Sequence, residues 1–229
     1  MLDKYKWLMF DLDNTLLDFS RSSHLAFFKV MEKHDLSPSE ELYQIYAEEN
    51  LKIWKLFEDK QITTDQLRKI RFKGFFERVD IRGIDPFAFN AEYLDFIIET
   101  SEPYEGVVSF LKGSKPKYKL SIITNGLKEV QRPRLHKTGI YDLFDSIVVS
   151  DEIGIAKPGP AFFEYSCQSL SVRHQKSDIL VIGDSLNSDI RGGQNFGVDT
   201  CWISLGRKNE SDISPTMTIE QVRDLELYL

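Results

Sequence analysis

Trp7-Leu8-Met9-Phe10-Asp11-Leu12-Asp13-Asn14-Thr15 is the stretch on which the reading of this 229-residue chain turns. Four apolar residues, too few for a helix, run straight into two aspartates one residue apart. The run predicts a short buried strand and the polar residues its carboxyl end. Four later runs have the same character: Leu120–Ile123, Ile147–Val149, Ile179–Ile182 and Cys201–Ile203. Amphipathic stretches of helical length lie between them at Leu127–Thr138, Ala161–Leu170 and Asp189–Phe196. Strand alternating with helix implies an α/β fold, a doubly wound (Rossmann-like) parallel sheet with helices on both faces.

More than 100 residues separate the first run from the second, far more than a crossover needs. Residues 19–102 hold two of the 13 glycines and two of the eight prolines, but 14 of the 28 aromatics. Apolar positions there recur at helical spacing, as in Leu25, Phe28 and Met31. The expected organisation is therefore a core of residues 1–18 and 103–229, with an all-helical domain at 19–102 inserted after the first strand. Aromatics at that spacing are expected to be core, although such rings also suit a stacked base.

Composition narrows the function. Hydrophobic residues are 41% and charged residues 28%, as in an ordinary folded protein. No apolar stretch reaches the ~20 residues of a membrane helix, and the start does not read as a signal peptide. A net charge of −7 without a basic run argues against a nucleic-acid polymer as partner. Cys167 and Cys201 lie in apolar segments without metal-ligand spacing, and buried thiols in a cytoplasmic protein are expected. His34, His136 and His174 lack partner spacing and are expected at the surface.

The chemistry lies after the strands, where ligands of open parallel sheets bind. Trp7–Phe10 runs into Asp11 and Asp13, and Ser121–Ile123 into Thr124-Asn125-Gly126. The third strand is followed, past Ser150-Asp151-Glu152, by Lys157-Pro158-Gly159-Pro160, and the fourth by Gly183-Asp184 and Asp189. Each segment alone has an ordinary explanation in turn or helix-cap chemistry. Together, in a parallel sheet, they converge on one crevice. Two carboxylates at ~4 Å repel by roughly 4 kcal/mol at an effective dielectric of 20, so such a cluster calls for a cation. Oxygen-only donors select a hard ion, Mg²⁺, with a substrate phosphate to complete the charge balance. Lys157 precedes a proline, which places its ammonium at a loop end, and Pro160 is suited to open the next helix.

These residues resemble the haloacid dehalogenase superfamily of phosphohydrolases across essentially the whole chain. Asp11-Leu12-Asp13-Asn14-Thr15 is similar to that family's DxDxT motif, Thr124 to its second motif and Lys157 to its third. Asp184 and Asp189, spaced GDxxxxD, are similar to its fourth. The resemblance implies Asp11 as nucleophile, Asp13 as general acid and base, and Thr124 and Lys157 as further catalytic residues. It implies Leu12, Thr124, Asn125 and Lys157 around the phosphate. Mg²⁺ is then expected on Asp11, the backbone carbonyl of Asp13, Asp184 and Asp189, the last directly or through water. Asp13 favours phosphate over halide chemistry, because a departing halide needs no proton.

Thr124-Asn125-Gly126-Leu127, Gln131, Arg134-Leu135, Thr138-Gly139-Ile140, the run Val149–Pro158 and Thr200-Cys201-Trp202 resemble the pyrimidine-type 5'-nucleotidases of that superfamily. Pro133 departs from this pattern and is expected to kink or delay the helix that carries Gln131 and Arg134. The implied protein is a monomer or weak homodimer acting on a small phosphorylated metabolite, first a nucleoside 5'-monophosphate. A phosphoglycolate or sugar-phosphate phosphatase, a sugar phosphomutase and a non-catalytic phosphate-binding protein are the alternatives. The inserted helices are expected to close over the site as a cap. Phe19, Ser20, Arg21 and His24 either contact the leaving group there or serve as hinge and helix-start residues.

Overall fold

The computed structural model describes residues 2–169 and 175–228. Leu170 and His174, named above, lie outside the described residues. Six strands form one sheet: β1 (Trp7–Phe10), β2 (Lys119–Thr124), β3 (Ser146–Val149), β4 (Ile179–Gly183), β5 (Asp199–Ile203) and β6 (Met217–Ile219). Their order is β3-β2-β1-β4-β5-β6, and every neighbouring pair is parallel. The doubly wound α/β reading therefore holds, with β6 added to it. That strand is three residues long and partly exposed, too short to show a period of its own.

The helices are α1 (Phe19–Lys33), α2 (Glu40–Glu58), α3 (Thr64–Ile70), α4 (Lys73–Val79), α5 (Pro86–Thr100), α6 (Val107–Ser114), α7 (Lys128–Lys137), α8 (Ser150–Ile153), α9 (Pro160–Gln168) and α10 (Gly192–Phe196). A turn of π-helix, Leu186–Arg191, precedes α10, so the helix expected at Asp189–Phe196 begins earlier and in a wider form. Pro160 occupies the first turn of α9. No helix among the described residues is long and apolar enough to cross a membrane.

The chain divides into two compact units, Met1–Phe19 with Glu102–Leu229, and Ser20–Ser101. In the first, successive strand residues feed opposite faces of the sheet. Leu8, Phe10, Leu120, Ile122, Leu180 and Ile182 pack on one side with Phe110 and Leu111 of α6 and Leu135 of α7. Trp7, Met9, Ile123, Ile179 and Val181 pack on the other with Phe162 and Phe163 of α9. Burial on both faces is why the strands read as unbroken apolar runs. Cys167 and Cys201 are free buried thiols, one on each side, and burial pushes both pKa values up.

The second unit contains only helices among its secondary-structure elements. Ser39 caps α2, a Thr63–Gln66 capping box opens α3, and Asp85 with Pro86 starts α5. Its centre is aromatic: Phe27 stacks on Tyr46 at 5.2 Å, Tyr46 on Phe72 at 4.7 Å, and Phe72 meets Tyr93 edge-on at 5.1 Å. The surplus of rings is thus largely core. His24 and His34 are tied within this unit to Glu40 at 2.7 Å and Glu92 at 2.8 Å. His34 is therefore not the unpartnered surface residue expected, because its acceptor lies 58 positions away, beyond the reach of local spacing. His136 is exposed and stacks on Tyr141.

Candidate active site

In the sheet order, the chain leaves β1 for β2 and β3 on one side and returns to β4, β5 and β6 on the other. The switch lies at β1 and β4, whose carboxyl ends are side by side with Phe10 opposite Ile182. Such a reversal opens a crevice at the strand ends. Asp11 follows β1 directly and its backbone N–H donates to the Ile182 carbonyl at 2.8 Å.

Lys157 is the centre of this crevice. Its side chain is 1% exposed, and its ammonium donates to Asp11 Oδ1 at 2.7 Å, Asp189 Oδ1 at 2.7 Å and the Ile123 carbonyl at 2.6 Å. An ammonium has three N–H groups, so each has an acceptor. Burial alone would lower the Lys157 pKa, but the two carboxylates outweigh it and raise it. Asn125 fixes the backbone that carries this lysine. Its Nδ2 donates to the Lys157 carbonyl and its Oδ1 accepts from the Lys157 N–H, both at 2.9 Å. Its carboxamide, expected on phosphoryl oxygens, thus holds Lys157 in place.

Asp189 is fully buried, with Oδ2 accepting from the Ser185 N–H at 3.0 Å. Gly183 makes room for it, since a Cβ there would lie 2.2 Å from Asp189 Oδ2. Asp184 accepts at Oδ2 from Arg207 at 3.1 Å, and its carbonyl accepts from Trp202 Nε1 at 2.9 Å. Carboxylate oxygens of Asp11, Asp184 and Asp189 all lie within 4.8 Å of one another. Burial, reinforced by the charge of Asp189 and opposed by Arg207, pushes Asp184 up to about 7. Burial also raises Asp11 well above the ordinary carboxylate range, Lys157 opposing it while Asp189, Asp184 and Asp13 add to it. Three carboxylates against one buried ammonium leave an acidic, oxygen-only set that fits a hard divalent cation such as Mg²⁺.

The remaining residues sit around this cluster. Thr15 donates to Asp11 Oδ2 at 3.3 Å. Thr124 is buried, and its hydroxyl oxygen accepts from the Gly126 N–H at 3.1 Å and from Gln131 Nε2 at 2.9 Å. The Leu12 side chain is buried in the apolar core, which leaves only its backbone for a phosphate. Asp13 is not one of the three clustered carboxylates. It turns to α7, where Arg134 and Gln131 hold it.

Pro133 does not delay the helix, one of the two outcomes expected of it. Helix α7 runs unbroken from Lys128 to Lys137 with Pro133 inside it. Val130, Gln131, Arg134 and Leu135 are buried on its inner face, and this anchoring outweighs the hydrogen bond that proline cannot make. Phe19 groups with the sheet unit, its ring 5.6 Å from the Arg134 guanidinium, while Ser20 and Arg21 are exposed. The sequence alone assigns no role to Thr15 or Arg207. Thr15 was visible within the motif, whereas nothing in the local pattern marks Arg207, 23 positions from Asp184.

The pattern of the family described as haloacid dehalogenase-like hydrolase matches residues 5–197. The chain belongs to that family. This hydrolase is 33% identical over 227 residues to the pyrimidine 5'-nucleotidase YjjG of Escherichia coli K12, covering 99% of this chain and 98% of that one. It is 29% identical over 223 residues to the pyrimidine 5'-nucleotidase PynA of Streptococcus pneumoniae R6, covering 96% and 93%. The crystal structure of YfnB from Bacillus subtilis, bound to magnesium, superposes with a TM-score of 0.91 at 30% identity over 99% of both chains. The chain is thus an HAD-like hydrolase.

Proposed function

We propose that this hydrolase cleaves nucleoside 5'-monophosphates by a two-step displacement at Asp11, with Mg²⁺ as cofactor. The reading rests on the setting of Asp11: one carboxylate oxygen on Lys157, the other on Thr15, and the carboxylates of Asp184 and Asp189 beside it. In the first step an Asp11 oxygen bonds to phosphorus in line with the leaving oxygen. The bond from phosphorus to that oxygen breaks, and Asp13 gives the departing alkoxide its proton. In the second step water attacks the aspartyl-phosphate, Asp13 takes the proton, and Asp11 is released as a carboxylate.

Lys157 opposes the burial that favours protonated Asp11 and fixes its carboxylate for attack. Both acceptor positions of the Thr124 hydroxyl are taken, so its hydrogen is left to bond a phosphoryl oxygen. Loss of one such contact costs ~3 kcal/mol, about a hundredfold in rate. Asp11, Asp184, Asp189 and the Asp13 carbonyl are the residues assigned to Mg²⁺, and a bound ion would offset negative charge on the phosphoryl oxygens. The nucleotide assignment is supported by the likeness to YjjG and PynA, both named pyrimidine 5'-nucleotidases. In this reading the helical unit Ser20–Ser101 is the domain that selects the leaving group.

Phosphate release measured over nucleotides and sugar phosphates, with and without Mg²⁺, tests the proposal. Pyrimidine nucleoside monophosphates should lead the screen and Asp11→Asn should abolish release. Release that survives Asp11→Asn would remove the mechanism. A flat response to nucleotides would remove the substrate assignment alone.

A further inference from the structure

Both carboxylate oxygens of Asp13 are held by one helix. Arg134 Nη1 donates to Oδ1 at 2.5 Å and Gln131 Nε2 donates to Oδ2 at 2.9 Å. The two residues lie three apart on α7, and therefore on one face of it, yet 118 and 121 positions from Asp13. They are also bonded to each other, Arg134 Nη1 donating to Gln131 Oε1 at 2.7 Å. Gln131 Nε2 donates as well to Thr124 Oγ1 at 2.9 Å. One amide thus bridges the group that handles the leaving-group proton and the hydroxyl beside the phosphate.

The clamp is built into the fold. Gln131 and Arg134 are each 1% exposed, and a guanidinium so deeply buried is costly unless its charge is met. The Phe19 ring lies over it at 5.6 Å. Gly126 is part of the same device: a Cβ there would lie 1.8 Å from Gln131 Nε2. Its backbone φ is not in the left-handed region, so close approach by Gln131, and not the turn, is what requires glycine. Without the clamp the Asp13 side chain has two free torsions, and proton transfer depends on a fixed donor geometry.

We infer that Gln131 and Arg134 are positioning residues that aim the Asp13 carboxyl at the leaving oxygen, Gln131 also turning the Thr124 hydroxyl hydrogen toward the phosphoryl group. The inference rests on the reading of Asp13 as proton donor. Its consequence is a dependence on the leaving group. An alkoxide cannot depart without a proton, whereas p-nitrophenolate leaves without one. Misplacing Asp13 should therefore slow alkyl esters far more than the aryl ester. Loss of the Thr124 hydroxyl's orientation would slow both alike.

The test compares kcat/KM, which reports the first displacement, for p-nitrophenyl phosphate and for the best alkyl monoester from the phosphate-release screen. Arg134→Gln and Gln131→Met should lower the alkyl-to-aryl ratio by about 10- to 100-fold, a fraction of what a general acid contributes. Gly126→Ala should act in the same direction by displacing Gln131, and Arg134→Lys should restore part of the ratio. Thermal melting identifies any variant that does not fold, in which case the milder Arg134→Lys and Gly126→Ala decide. Asp13→Asn is the reference. If it lowers the ratio while the clamp variants lower both esters equally, the clamp is wrong and the proton-donor reading stands. If Asp13→Asn lowers both equally, the proton-donor reading falls and the clamp with it.

Discussion

Lys157 and Asp189 form an ion pair at 2.7 Å in which both side chains are 1% exposed. The same ammonium holds Asp11, so the group proposed to take the phosphoryl group and a group proposed for the metal share one buried cation. Such a pair is poor evidence of net stabilisation, because desolvating both charges offsets much of their attraction. Its value is positional: neither carboxylate can move without breaking a bond to Lys157.

Removing the cation should therefore be severe. Lys157→Met leaves two buried carboxylates unbalanced, and a loss of about 3–5 kcal/mol in unfolding free energy is expected. The sign with pH follows from Asp11. With the ammonium gone, nothing opposes the burial that favours protonated Asp11 in the folded state, so the loss should be largest at neutral pH and shrink as pH falls. Urea denaturation of the metal-free variant at neutral and mildly acidic pH measures this, and an undiminished loss in acid would contradict it.

Asn125→Ala separates two roles for one residue. Its carboxamide spans 32 positions to grip the backbone of Lys157 at both N–H and carbonyl. Leaving those buried groups unmet should cost about 1–3 kcal/mol of stability. Displacing Lys157 should lower kcat at least tenfold, about 1.4 kcal/mol, with little change in KM. A rise in KM without a fall in kcat would instead place the carboxamide on the phosphate itself.

What was readable in the chain and what was not divide along sequence distance. Asp11, Thr124 and Asp184 stand at or just past the ends of apolar runs, with Lys157 in the connection that follows a fourth, and a parallel sheet brings such ends together whatever the details between them. The Asp13–Arg134 contact is different, since it depends on the rotation of α7 about its axis. Pro133 does not delay α7, because local propensity is weighed against burial of Val130 and Leu135 that only the packed sheet supplies. The partner of His34, Glu92, lies on another helix and likewise leaves no local signal. Strand β6 leaves no signal in the sequence, because three residues carry no period.

Asp184 should make metal binding depend on pH. Its carboxyl is pushed up to about 7, against about 4 for an unfolded chain. The folded protein then binds this proton more tightly than the unfolded one, so the metal-free protein should lose stability as pH rises from about 4 to about 7. A divalent cation must displace that proton, and its apparent affinity should fall about tenfold per unit below pH ~7. Calorimetric Mg²⁺ titrations in two buffers of different ionisation enthalpy measure the proton released. No release near neutrality would rule Asp184 out as the titrating ligand.

Two glycine substitutions, chemically identical, should have opposite effects. At Gly183 an added Cβ falls 2.2 Å from Asp189 Oδ2 and 2.7 Å from its Cβ. Asp189 cannot retreat, because Lys157 holds one oxygen and the Ser185 N–H the other. Strand β4 cannot retreat either, being paired on both sides to β1 and β5. Gly183→Ala should thus cost about 1–3 kcal/mol as an overpacked site and weaken Mg²⁺ binding by displacing Asp189. At Gly113, exposed near the end of α6, a Cβ meets nothing within 4 Å. Gly113→Ala should be neutral or stabilise by up to about 1 kcal/mol, through helix propensity alone. Melting curves with and without Mg²⁺ compare the two. Only Gly183→Ala should shrink the shift in Tm that the ion produces, and equal shifts in both variants would mean that Asp189 is not needed where the fold places it.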